Sequence, residues 1–215
     1  MNLRIVAAAL AVGLVATGAR AGDLYLQGGT QGVGVGYAQP LSSWAGLHAD
    51  INGFGLSHKF SAGDLDYDAR LHLFNAGTYL DLFPFSSSSF RITAGVLFND
   101  DYMDGNAVSQ NGSYKINGSS YYAPNASVSA RVKYPTAMPY IGLGFGHKPV
   151  TKRGLGFIAD VGVAYGRPRV DYNVSPDLVA AAGAANVAAE EQQLRDKVDR
   201  YRFYPIVQVG VSYRF

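Results

Sequence analysis

The chain has 215 residues, 48% of them hydrophobic, with 26 glycines, 15 tyrosines, 11 phenylalanines, one tryptophan and no cysteine. Its formal charge of +2 comes with no concentrated basic stripe among stacking aromatics, which argues against a nucleic-acid partner. The lack of cysteine excludes a disulfide framework, and no segment after the first residues is the run of about 18 apolar residues that a membrane-spanning helix needs.

Residues 1–21 read as a secretory signal peptide. Arg4 is followed by an apolar run from Ile5 to Val15 and by the small-x-small exit Ala19-Arg20-Ala21, with cleavage expected after Ala21. The run is too short to anchor comfortably in a bilayer. Removing Arg4 and Arg20 leaves as many basic as acidic residues, 16 of each, so the apparent basicity belongs to the export segment.

From residue 22 to 215 a period of two dominates, the signature of strands with one apolar face. Strands are expected at about 23–29, 32–40, 45–60, 66–83, 90–104, 127–146, 154–173 and 200–215. In "FRITAGVLF" the even positions Phe90, Ile92, Ala94, Val96 and Phe98 share a face. The odd positions do so from Ala137 to Phe145, from Leu155 to Tyr165 and from Phe203 to Phe215. The first hairpin requires Thr30-Gln31 to reverse the chain. The apolar set changes parity near Gly53, Asn75 and Pro135-Thr136, which β-bulges would explain.

Connections alternate between short and long. The stretches at 39–44, 83–90 and 147–154 are tight, whereas those at about 105–126 and 174–199 are long, the pattern of periplasmic turns and outer loops in an outer-membrane barrel. The first long loop holds Asn117-Gly118, a two-residue hairpin signal. In the second, Ser175, Pro176 and Asp177 open an Ala-rich helix whose Leu178, Val187, Leu194 and Val198 are expected at the barrel mouth.

Two stacked sheets would also hide one-sided strands. The faces opposite the apolar ones are rich in glycine with a few charges, however, and suit a narrow filled lumen better than a solvent surface. The expected fold is therefore all-β: an eight-stranded antiparallel transmembrane barrel with an extracellular loop helix, in the outer membrane of a Gram-negative cell. By phase, the residues expected to line the lumen are His48, Asp50, Asn52, Arg70, His72, Arg91, Arg131, Lys133, Asp160 and Gln208. Such charges either pair with one another or serve conduction.

Other chemistry has little support. "GLGFGHK" lacks the Gly-Lys-Ser/Thr order of a phosphate loop, and the four histidines show no metal spacing. Ser57 and His58, as neighbours on a strand, point to opposite faces and form no nucleophile–base pair. No cofactor, catalytic residue or metal ligand is expected.

The stretches "LDYDARLHLFNAGTYLDLFPF", "FRITAGVLFNDDYMDG", "MPYIGLGFG", "GVAYGRPRVDYNV" and the acidic helix running into "YRFYPIVQVGVSYRF" resemble a family of small proteobacterial outer-membrane proteins that includes the ornithine-uptake porins of CarO type. Leu82 and Ser86 to Ser89 stand where relatives often show Trp and Gly-Gly. The resemblance implies a barrel whose outer loops cover the mouth, with passage of small amino acids as an activity. No ligand-binding residue carries over. Tyr213 and the terminal Phe215 look like the signal read by the barrel-assembly machinery. Three functions remain open: a narrow selective channel for small solutes such as amino acids, a non-conducting structural or surface-interaction barrel, and a lipid-modifying enzyme. Expected partners are outer-membrane lipid and lipopolysaccharide and the assembly machinery.

Overall fold

The computed structural model describes residues 22–62, 65–149 and 152–215, so the expected signal peptide lies outside the described residues. Thirteen strands form among them: β1 Asp23–Gly29, β2 Gly32–Pro40, β3 Ala45–Ala62, β4 Leu65–Leu82, β5 Phe90–Asn99, β6 Tyr102–Ser109, β7 Ser113–Ile116, β8 Ser119–Tyr122, β9 Val128–Lys133, β10 Ala137–Phe145, β11 Gly154–Tyr165, β12 Arg169–Val174 and β13 Phe203–Arg214. Two helices, α1 Pro176–Ala182 and α2 Ala184–Val198, precede β13.

Eight strands close into a ring. Going round, β1 pairs with β2, then β3, β4, β5, β10, β11 and β13 follow, and β13 returns to β1, every pair antiparallel. The first hairpin turns at Thr30-Gln31, with Gly32 at φ +96, where a side chain would be strained. Thr30 clasps that turn to β13: its N–H donates to the Val207 carbonyl (3.0 Å), and its hydroxyl donates to Pro205 O (3.1 Å) and accepts from Val207 N–H (3.0 Å).

The outward face of the ring is apolar and uncovered by protein. Leu24, Leu26, Val33, Val35, Ile141, Leu143, Phe157, Val161, Val207, Val209 and Val211 are all between 44% and 68% exposed. A belt of that size around a closed sheet is what hydrocarbon covers, and it rules out stacked sheets hiding the valines of β13.

Three strands expected as single runs are each broken. The breaks fall at Asp100-Asp101 between β5 and β6, at 134–136 between β9 and β10, and at 166–168 between β11 and β12. Pro135 and Pro168 sit in two of them, and proline has no N–H for a ladder. Beyond the breaks, β6, β9 and β12 continue the wall of β3 and β4 as an open sheet in the order β3–β4–β6–β9–β12. The wall is thus tall on this side and low along β1, β2 and β13.

The bulges expected near Gly53 and Asn75 are absent. β3 and β4 keep one register from Ala45↔Leu82 to Ala62↔Leu65, and the pairing of β4 with β6 continues its register with β5. What inverts is polarity. Within the ring, β3 points His48, Asp50 and Asn52 inward; above it the same face carries Phe54 and Leu56, joined by Leu71, Leu73, Met103 and Val132 from the neighbouring strands. Outside, the lipid-facing residues give way to Arg70, His72, Asp104, Arg131, Lys133, Arg169 and Asp171. Each strand leaves hydrocarbon for water, so the face that must be apolar changes while the alternation does not.

The top of the extension carries a second small core. Tyr114 and Ile116 of β7, Ala123, Ala126, and Leu178 and Ala182 of α1 are buried together, with Val128, Val174 and Val187 against them. Asn117 (φ 48) and Gly118 (φ 81) make the two-residue hairpin turn between β7 and β8. The single expected helix is two, because Gly183 at φ +82 separates them. Leu178 and Val187 pack in this cap, not on the barrel mouth. Ser175 caps with no side-chain bond to the helix; its Oγ accepts from Ser127 N–H at 3.1 Å. Below α2, Asp199 accepts hydrogen bonds from Arg167 and Arg202, and those bonds push its carboxyl down to about 2.

The glycine and tyrosine content has a packing cause. A Cβ on Gly36 would lie 2.1 Å from Tyr25 Cζ, and one on Gly77 would lie 2.0 Å from Tyr79 Oη. Tyr25 and Tyr79 are both 4% exposed, so these rings lie inside the barrel over glycines.

Gly36→Val should therefore destabilise the barrel by about 1–3 kcal/mol, read as a lower urea midpoint in lipid vesicles, whereas Gly55→Ala, with open space at its Cβ, should leave it unchanged. Since the Asp199 carboxyl is depressed, its contribution to tying the end of α2 to Arg167 and Arg202 is complete above about pH 4 and is lost as pH falls through about 2. Its carbon NMR signal should titrate near 2 and not near 3.8, and Asp199→Asn should raise hydrogen exchange at the end of α2 already at pH 7.

Candidate functional site: the barrel interior

The inward set follows from the register. It comprises odd positions on β1, β4 and β5 and even positions on β2, β3, β10, β11 and β13. Six of the ten expected lumen residues are there: His48, Asp50, Asn52, Arg91, Asp160 and Gln208. Arg70, His72, Arg131 and Lys133 are not. They stand on the outer face of the extension, because their parity follows the apolar set above Asn75, where polarity has inverted. There Arg70 lies opposite Asp104, Asp104 opposite Arg131 and Arg131 opposite Asp171, a row of alternating charge across four strands.

Inside, the turn end is built on ion pairs. Arg214 holds Asp23 through Nε–Oδ1 at 2.5 Å and Nη2–Oδ2 at 2.8 Å, and His147 Nδ1 lies 3.1 Å from Asp23 Oδ2. One step in, Arg91 is 0% exposed. Its Nη2 is 2.7 Å from both oxygens of Asp160, and its Nε is 3.1 Å from Asp81 Oδ1. Asp81 also accepts from Thr93 Oγ1 and lies against His48 Nδ1, both at 2.7 Å. To reach Asp160 on β11, Arg91 on β5 passes over β10 at Gly144, where a Cβ would fall 2.4 Å from Asp160 Oδ1 and 2.7 Å from Arg91 Nε. The middle glycine of "GLGFG" therefore clears the path of an ion pair, while Gly142 makes room for the Tyr140 ring.

The middle of the bore is amide and tyrosine. Gln27 Nε2 donates to Asp50 Oδ2 (3.0 Å) and to Asn52 Oδ1 (2.9 Å); Asn52 Nδ2 donates to Asp50 Oδ1 (3.0 Å) and to Asn75 Oδ1 (3.2 Å). Gln31, from the outer turn, folds inward to accept from Gln208 Nε2 at 3.1 Å. Towards the loops, Leu97, Met138, Ala164 and Ile206 pack with Tyr79 and Tyr140. Tyr204 closes this layer and donates to Asp101 at 2.9 Å. Between Gln27, Asp50, Tyr79, Tyr140 and Asp160 remains a void of about one water molecule's size.

Reading the sequence missed Asp81, Thr93, Asp23, Arg214 and His147. Asp81 was legible: Leu80 and Leu82 beside it face outward, which places it inside. The Asp23–Arg214 pair joins the two ends of the described chain, and only the closing of β13 on β1 brings it together. Tyr213 and Phe215 point outward, 54% and 47% exposed.

Closed antiparallel ring, lipid-facing belt and filled polar interior define an integral outer-membrane β-barrel. The fold is that of CarO-like barrels. The chain is similar to CarO2 of Acinetobacter baumannii (23% identity, TM-score 0.64, covering 91% of this chain and 99% of that one) and to CarO of the same organism (18%, TM-score 0.59, 90% and 97%). A major outer membrane protein of Thermus thermophilus aligns more loosely, at 13% identity and TM-score 0.41, over 92% of this chain and 100% of that one. No protein-family model and no curated protein matches the sequence.

Arg91→Ala strands two buried carboxylates and should cost about 3–5 kcal/mol of unfolding free energy in vesicles. The triple change Asp81→Asn, Arg91→Met, Asp160→Asn should recover most of it, and equal losses for the two variants would show that charge pairing is not what holds this layer.

Proposed function

We propose that this protein is an outer-membrane barrel closed through its centre at rest, a structural and surface-interaction barrel whose working surface is the extracellular sheet with its hairpin and helices. One observation carries this reading: the fully buried Arg91, held from both sides by Asp81 and Asp160, spans the bore at its turn end. An eight-stranded ring is only wide enough for side chains to fill it. The apolar layer of Leu97, Met138 and Ile206 adds a second obstruction nearer the loops.

A second reading, slow selective passage of small solutes such as amino acids, is favoured by the polarity of the bore. His48, Asp50, Asn52, Asp160 and Gln208 line it, and Arg91 Nη1 is buried without a hydrogen-bond partner. On this reading the arginine triad is the gate. The outward Tyr213 and Phe215 at the end of β13 suit recognition by the barrel-assembly machinery.

Planar bilayers separate the two readings. The wild-type protein should give no resolved conductance steps and no glycine or ornithine flux into proteoliposomes, while a variant that removes both obstructions, Asp81→Asn, Arg91→Ala and Asp160→Asn combined with Leu97→Ala and Met138→Ala, should conduct. Steady wild-type steps, or measurable wild-type flux of either solute, would overturn the closed-barrel reading in favour of the channel.

A further inference from the structure

The polarity inversion locates the outer surface of the membrane, and what stands at that level is basic. The first outward row above the breaks is His72, Tyr102, Lys133 and Arg169, on four adjacent strands. His72 stacks on Tyr102 with ring centres 4.7 Å apart and 23° between planes; Lys133 Nζ lies 5.4 Å, and Arg131 Cζ from the row above 4.8 Å, from the same ring. Tyr102 thus gathers cations on a surface that faces neither lumen nor cap.

The carboxylates nearby do not neutralise all of them. Asp104 is engaged by Arg131, and Asp100 lies 3.7 Å from Lys133. Arg70 and Arg169, at opposite edges of the cluster, are both exposed and form no ion pair among the described residues. They stand three strands and one outward row apart, about 16 Å at the usual strand and residue spacings. Two free guanidiniums at that separation, just above the hydrocarbon belt, match the two phosphates of an outer-leaflet glycolipid, because arginine binds phosphate through paired charge-assisted hydrogen bonds.

The structure assigns to this face a site for the phosphorylated headgroup of lipid A, with Arg70 and Arg169 as the principal phosphate contacts and Lys133 between them. The assignment is independent of whether the bore conducts.

The test uses the mature full-length protein, delipidated in detergent and titrated with lipid A while native mass spectrometry counts bound lipid. Bisphosphorylated lipid A should bind at least about tenfold more tightly than its fully dephosphorylated form, and Arg70→Gln with Arg169→Gln should remove most of that difference. Lys152→Gln, on the exposed turn before β11 at the opposite end of the barrel, should not change it. Both variants alter exposed side chains, and an unchanged urea midpoint confirms folding. Equal binding of the two lipid forms, or the same loss from Lys152→Gln, would overturn the assignment. Thermal protection by millimolar inorganic phosphate equal to that by lipid A would also overturn it, in favour of a free-anion site.

Discussion

The whole architecture depends on a strand having two faces and crossing two solvents. In hydrocarbon the outward side chains must be apolar and every backbone group must be paired, which only a closed sheet achieves. Above the headgroups the outward side chains must be polar. Since alternation along a strand is strict, β3 and β4, which run through both, satisfy the two conditions by exchanging chemistry between faces at one level: Asn52 is followed on the same face by Phe54, and on β4 the outward Ala76 shares its face with His72 and Arg70. The breaks at Asp100-Asp101, Pro135 and Pro168 lie at that level.

Closure imposes the second constraint, an interior with little room. Tyrosines lie over glycines and an arginine crosses a strand over Gly144, so small residues on one strand make space for large ones rooted on another. Buried ions in such a bore must be matched, since a lone charge there costs several kcal/mol. Asp81, Arg91 and Asp160 meet that requirement with short bonds. The same bonds obstruct the axis.

Much of this was legible in the sequence because the signal is periodic. Strands β1 and β2 have the bounds that alternation predicts, and the ring of eight follows from counting turns. The Asn117-Gly118 turn and the start of α1 at Pro176 were readable from local chemistry. The four misplaced lumen residues have one cause: alternation tells which residues share a face but not which solvent that face meets, and above Asn75 the solvent changes. Phase, with the polar face taken as the inner one along the whole strand, pointed Arg70 and Arg131 inward; their neighbours across the sheet, Asp104 and Asp171, come from distant segments whose pairing no local pattern reveals. The split of the helix at Gly183 was visible as a glycine, though its left-handed backbone was not.

Unequal strand lengths have a last consequence. The ring has no margins, but the sheet above it has two: β3 beyond Gly53, where pairing with β2 stops, and the far side of β12. Bare margins are templates for strand addition and invite sticking between molecules in a crowded membrane. Beyond Gly53, β3 turns Lys59 outward, and on β12 Arg169 and Asp171 are set along the margin while α2 packs against that strand. In leaving the bilayer the protein exchanges topological protection from aggregation for electrostatic and steric protection.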